Sequence, residues 1–190
     1  MFRTMFSAAV VLAALAGPAS AHPDHEVSGF LHPFTGIDHL LAMVGVGIWA
    51  AFLAVRKPAA ALLVPAAFLT MMAVGAAAGF AGIKLPLVEA IILASVFVFG
   101  GLIMTAVRLP AAVAMAVAGL FAFFHGYAHA LEAPATGGGT YILGFLAATT
   151  LLQAAGLGLG WVTLRRLGDR GLRALGGAVL AGGALVLIAQ

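Results

Sequence analysis

The chain has 190 residues, is 64% hydrophobic and 8% charged, and has a mean hydropathy of +1.17. A soluble domain is about half apolar and about a quarter charged, so this composition calls for a bilayer as solvent and excludes disorder. The net charge of +3 is not a nucleic-acid footprint, because the basic residues fall in short clusters between apolar runs, and the absence of cysteine excludes disulfides, thiolate metal sites and iron–sulfur clusters.

Residues 1–21 read as a signal peptide: Arg3 is the basic start, Ala8 to Ala16 a short apolar core, Pro18 a helix breaker, and Ala19-Ser20-Ala21 a small-residue cleavage site. The expected mature chain begins at His22, with residues 22–35 periplasmic and 36–190 forming the membrane domain. Apolar runs long enough to span recur near 36–55, 59–80, 86–107, 109–131, 140–163 and 171–189. Pro58, Pro86 and Pro110 fall at or near helix starts, where the missing N–H costs little, and Pro65 is a point at which the second span can bend. Ala133 to Gly139 is the clearest loop. The expected fold is all-α, a polytopic bundle of about six transmembrane helices after a cleaved signal peptide.

Orientation follows from Lys and Arg. With the mature N-terminus outside, the inner connections hold Arg56, Lys57, Arg108, Arg165, Arg166, Arg170 and Arg173, and the outer ones only Lys84. That bias agrees with the leader and points to the bacterial inner membrane, with both mature ends periplasmic. The pairs Gly75/Gly79 and Gly156/Gly160, and Gly176, Gly177, Gly182 and Gly183, read as helix-contact faces.

The histidines fall in two stretches: His22, His25, His32 and His39, then His125 and His129. Asp24, Glu26, Asp38, Glu89 and Glu132 accompany them, all on the expected outer side. Ionisable groups in spans are costly and mark sites or pathways. His125 and His129 are i and i+4 and share a helix face, with Glu132 at i+7, so the three form a ladder about 10 Å deep. Imidazole and carboxylate suit Ni²⁺, Co²⁺, Zn²⁺ and Cu²⁺; the bland alternative is a pair of helix–helix hydrogen bonds.

Asp38 and His39 open the first span, where Asp38 either caps the helix or orients the imidazole, and His32 stands just before Pro33, where an extended chain is expected. Glu89 follows Pro86 in a first turn, as a dipole partner or as a carboxylate facing the same cavity. His22 to Glu26 reads more simply as a solvated start than as a metal-gathering segment. Gly36-Ile37-Asp38-His39-Leu40-Leu41 faintly echoes Gly126-Tyr127-Ala128-His129-Ala130-Leu131, at positions a three-plus-three repeat does not equate. Deeper, Thr149, Thr150 and Gln153, with Met71 and Met72, read mainly as hydrogen bonds and packing.

His32-x5-Asp38-His39, followed by Phe124-His125-Gly126-Tyr127-Ala128-His129-x-x-Glu132, resembles the HupE/UreJ family of small membrane proteins associated with nickel hydrogenases and ureases. The resemblance covers nearly the whole chain. It departs at Ala130, where the family run usually has Gly, which bears on local helix packing. It implies nickel uptake, with roles for His32, Asp38, His39, His125, His129 and Glu132. Nickel over cobalt or zinc comes from the resemblance alone.

Three functions compete. A metal permease needs ligands at its mouth and a route across. A membrane-embedded hydrolase could use the same His/Asp/Glu cluster around an activated water. A haem protein could use His39 and His129, against which the flanking carboxylates argue. The permease is the expectation: a divalent metal as substrate, no tightly bound cofactor, the bilayer as surroundings, and a second copy of the chain or a hydrogenase or urease maturation machinery as partner.

Overall fold

The computed structural model describes residues 29–133 and 138–189. The expected signal peptide and the His22 to Glu26 segment lie outside the described residues. Six helices follow in order: α1 His32–Thr35, α2 Ile37–Ala54, α3 Ala60–Phe80, α4 Val88–Met104, α5 Ala111–Leu131 and α6 Gly138–Ala189. No strand occurs among the described residues. The chain is an all-α, multi-pass membrane protein. Among the described residues four helices are long and apolar enough to cross a membrane, and Val88–Met104 is a shorter apolar helix of 17 residues.

The helices start where the prolines place them: Pro110 is the N-cap of α5, and Pro86 stands two residues before α4. Helix α3 runs unbroken through Pro65. The expected loop over 164–170 is absent. Helix α6, 52 residues long, would reach about 78 Å if straight, more than twice the hydrocarbon thickness of about 30 Å. Gly168 divides it, with φ 62° and ψ −157°, a conformation essentially confined to glycine. One residue therefore does the work expected of seven. Arg165 and Arg166 end the first limb and Asp169 starts the second, each matching the charge of its helix end.

Helix α2 is the centre of the bundle: 72% of its span is buried, against 44% or less for the others long enough to cross. Trp49, Phe52, Met43 and Ile48 fill its surroundings. The first limb of α6 runs parallel to α2, with Gly156 against the Val44 backbone and Gly160 against Ile48 and Ala51. The second limb returns antiparallel, with Gly176 at Met104, Leu180 at Gly100 and Gly183 at Val96. Helices α3 and α5 pair along their length, and the Ala130 methyl seats against Gly79, where a Cβ would clash. The departure at Ala130 is thus accommodated by a small residue opposite. Tyr127 ties the α3–α4 connection to α5: its hydroxyl donates to the Ile83 carbonyl (2.6 Å) and accepts from the Leu85 N–H (3.2 Å).

This topology sorts charge by end. The C-terminal ends of α2 and α4 and the Gly168 break share one end, which gathers Arg56, Lys57, Arg108, Arg165, Arg166, Arg170 and Arg173. There Arg108 sits 3.9 Å over the Phe52 ring, Arg165 sits 3.6 Å over Trp161, and the Trp49 indole N–H donates to the Val107 carbonyl at 3.3 Å. The opposite end holds His32, Asp38, His39, Glu89 and Glu132. Exposed Leu62, Leu143, Leu185 and Ile188 cover the flanks, as a lipid-facing surface requires.

Candidate metal site

At the mouth, His32 and Glu132 meet. His32 begins α1, a single turn with Pro33 at its start, so the extended chain expected there is corrected: Thr35 Oγ1 donates back to the His32 carbonyl (2.7 Å) and holds the turn closed. The His32 Nε2–H donates to Glu132 Oε2 at 2.6 Å. Glu132 caps the end of α5, its N–H bonded to the Ala128 carbonyl. Ligand atoms of His32, His129 and Glu132 all lie within 4.8 Å of one another.

One step deeper, His39 of α2 and His129 of α5 face each other with ring centroids 4.9 Å apart. Asp38, in the first turn of α2, accepts at Oδ1 from both the His39 Nδ1–H (2.9 Å) and the His39 backbone N–H (2.8 Å), so it satisfies a first-turn N–H and orients the imidazole at once. That fixes the neutral tautomer and leaves the Nε2 lone pair bare. His129 is fully buried and neither ring nitrogen has a partner among the described residues. Phe145 of the first α6 limb stacks on its face, and Tyr141, one turn nearer the mouth, lies against His32.

Deepest is His125, fully buried, 4.9 Å from His39 by ring centroids and beside Phe68 of α3. Ser95 of α4 orients it. The Ser95 hydroxyl gives its one hydrogen to the Ile92 carbonyl (2.6 Å), so toward His125 Nε2, 3.1 Å away, it acts as acceptor. His125 therefore carries its proton on Nε2, and Nδ1 is bare and unpartnered.

The shaft thus presents Nε2 of His39, Nδ1 of His125 and a nitrogen of His129, all buried and without partners. Each buried unpaired polar atom costs about 1–3 kcal/mol, a cost that coordination to a metal cation relieves. The carboxylates of Asp38 and Glu132 supply two negative charges to balance a divalent ion.

Of the sequence candidates, His32, Asp38, His39, His125, His129 and Glu132 converge. Glu89 stands exposed in the first turn of α4, outside the group formed by His32, His129 and Glu132. Helix α4 faces the shaft through Ser95, and six residues of helix turn Glu89 about 120° away from that face. Thr150 is exposed and bonded to its own helix at the Leu146 carbonyl (2.7 Å). Ser95, Phe145, Tyr141 and Phe68 were not anticipated. Ser95 carried a signal, being the lone hydroxyl of the apolar run 88–104; nothing marks the aromatic residues as ring partners. The two echoing segments prove spatially related, since they place His39 beside His129.

The family described as HupE / UreJ protein matches residues 10–186. Protein HupE of Rhizobium leguminosarum bv. viciae is 42% identical over 184 residues, 93% of this chain and 95% of that protein. No solved structure matches the chain.

Proposed function

We propose that this chain, which belongs to the HupE/UreJ family, is an uptake permease for a divalent transition metal, nickel before cobalt or zinc, that captures its substrate at the histidine end. The observation that carries this reading is the convergence of three buried imidazoles with bare nitrogens from α2 and α5. The family is one of transport and accessory proteins, so the chain is not an enzyme and the hydrolase reading falls away. The metal is cargo here, not a resident cofactor.

The proposed capture is stepwise. A hydrated ion meets Glu132 and His32 at the exposed mouth and exchanges water for carboxylate and imidazole. His129, within ligand reach of both, draws it inward to His39 and His125. Asp38 holds His39 in the ligating tautomer, and Ser95 does the same for His125. The basic collar at the other end supports a cytoplasmic placement of that end, hence an inner-membrane protein with a cleaved leader and a periplasmic mouth. Hydrogenase or urease maturation machinery is the proposed recipient, and a second copy of the chain a proposed partner.

The test is uptake of labelled nickel into cells expressing the protein, with cobalt and zinc as competitors. Accumulation above the vector control, most strongly suppressed by unlabelled nickel, is expected. No accumulation of any of the three metals would overturn the permease.

A further inference from the structure

Beyond the histidines the lining changes from nitrogen to sulfur and neutral oxygen. One turn past His39 on α2 stands Met43, and one turn past Phe145 on the first α6 limb stands Thr149, each about 6 Å deeper. The Thr149 hydroxyl lies 3.3 Å from the Met43 sulfur and 3.6 Å from that of Met72 on α3. All three side chains are fully buried. The Met72 backbone abuts Gly126, the neighbour of His125. Gln153 follows one further turn along the same face of the limb; it is 2% exposed and both its amide atoms lack partners among the described residues.

Two features set this group apart from packing. Thr70, Thr105 and Thr150 each return their hydroxyl to a carbonyl four residues back, at 2.8, 2.6 and 2.7 Å. That is the ordinary way to satisfy a threonine in an apolar helix. The Thr149 hydroxyl turns instead to two thioether sulfurs, which are weak acceptors. A glutamine with both amide atoms unpaired in a membrane interior likewise calls for a partner.

We propose that Met43, Met72, Thr149 and Gln153 form a second, uncharged cation station, which takes a borderline or soft transition cation from His125 by ligand exchange. The inference rests on the reading of the histidine shaft as a metal-capture site. Thioether sulfur favours soft and borderline cations over Mg²⁺ or Ca²⁺. Neutral donors hold a divalent ion less tightly than the carboxylate-backed histidines, and weak, multi-site binding is what allows an ion to leave.

The test uses the full chain in cells and, purified, in lipid nanodiscs. Met43→Leu with Met72→Leu removes both sulfurs at nearly constant volume. Its initial rate of labelled Ni²⁺ uptake should fall about tenfold, with Ni²⁺ affinity in nanodiscs within about twofold of the parent. Equal uptake at equal membrane levels overturns the station, as does loss of Ni²⁺ binding along with uptake, since the sulfurs then only support the histidines. If the double variant does not reach the membrane, Thr149→Ser and Thr149→Val decide: the serine variant should transport like the parent and the valine variant far less, and equal rates overturn the station. If the parent takes up no metal, the permease reading fails separately. Ag⁺ binding then tests the station alone: a site present in the parent and lost in Met43→Leu with Met72→Leu supports it, and identical Ag⁺ binding by the two overturns it.

Discussion

The imidazole of His129 lies flat on the Phe145 ring, centroids 4.7 Å apart and planes 17° from parallel. The stack closes one face of the imidazole and leaves its edge, where the nitrogens are, as the route to a partner. His32 and His39 approach with their rings inclined at 79° and 64° to it. Phe145 is thus a positioning residue. Phe145→Leu keeps apolar volume and loses the ring pairing, worth about 0.5–1.5 kcal/mol. Nickel affinity of the purified protein should fall roughly two- to tenfold, with its membrane level unchanged. Unaltered affinity by titration calorimetry would mean that the stack does not orient the ligand.

His129 stands within reach of His32 and Glu132 at the mouth and of His39 below them. His129→Ala should abolish metal uptake while the protein stays in the membrane, whereas His25→Ala should transport like the parent. Labelled-nickel uptake at matched expression checks both, and equal uptake by the His129 variant would sink the assignment.

Asp38 and Ser95 each fix which nitrogen of a histidine is bare. Losing such outer partners typically costs about 10- to 100-fold in metal affinity. Asp38→Asn and Ser95→Ala should each fall in that range, the former further because it also removes a charge. A nickel titration in which both match the parent would show that the tautomers are set some other way.

Ligating imidazoles must be neutral, and free histidine titrates near about pH 6.5. Protons therefore compete with the metal, and affinity should fall as pH drops below about 6, with protons released on binding. Affinity that rises toward acid would contradict imidazole ligation.

The Gly168 break sends the second limb back to the histidine end, so the C-terminus should lie on the same face of the membrane as His32, the face proposed above as periplasmic. A periplasm-dependent reporter fused after Gln190 should be active, and activity only of a cytoplasm-dependent reporter would contradict the topology. Gly168→Val, with a branched side chain at φ 62°, should sharply lower the amount of membrane-inserted protein.

Hydropathy and charge determined much of this protein by themselves. Apolar runs of spanning length compel helices because lipid offers the backbone no other hydrogen-bond partners. The clustering of basic residues away from His and, Asp169 apart, from acid foretold the two ends, and the i, i+4, i+7 spacing of His125, His129 and Glu132 put a ladder on one face of α5. Each of these is a local or compositional property. Tertiary structure alone decided what faces that ladder. It set His39 beside both helix-five histidines, turned α4 to offer Ser95 rather than Glu89, and brought Phe145 and Thr149 in from a limb whose length depends on one glycine torsion. Those pairings arise from close helix approach at Gly75, Gly126 and Gly156. Which residues oppose one another across such contacts depends on the rotation and crossing of whole helices, and no spacing within a single helix encodes that.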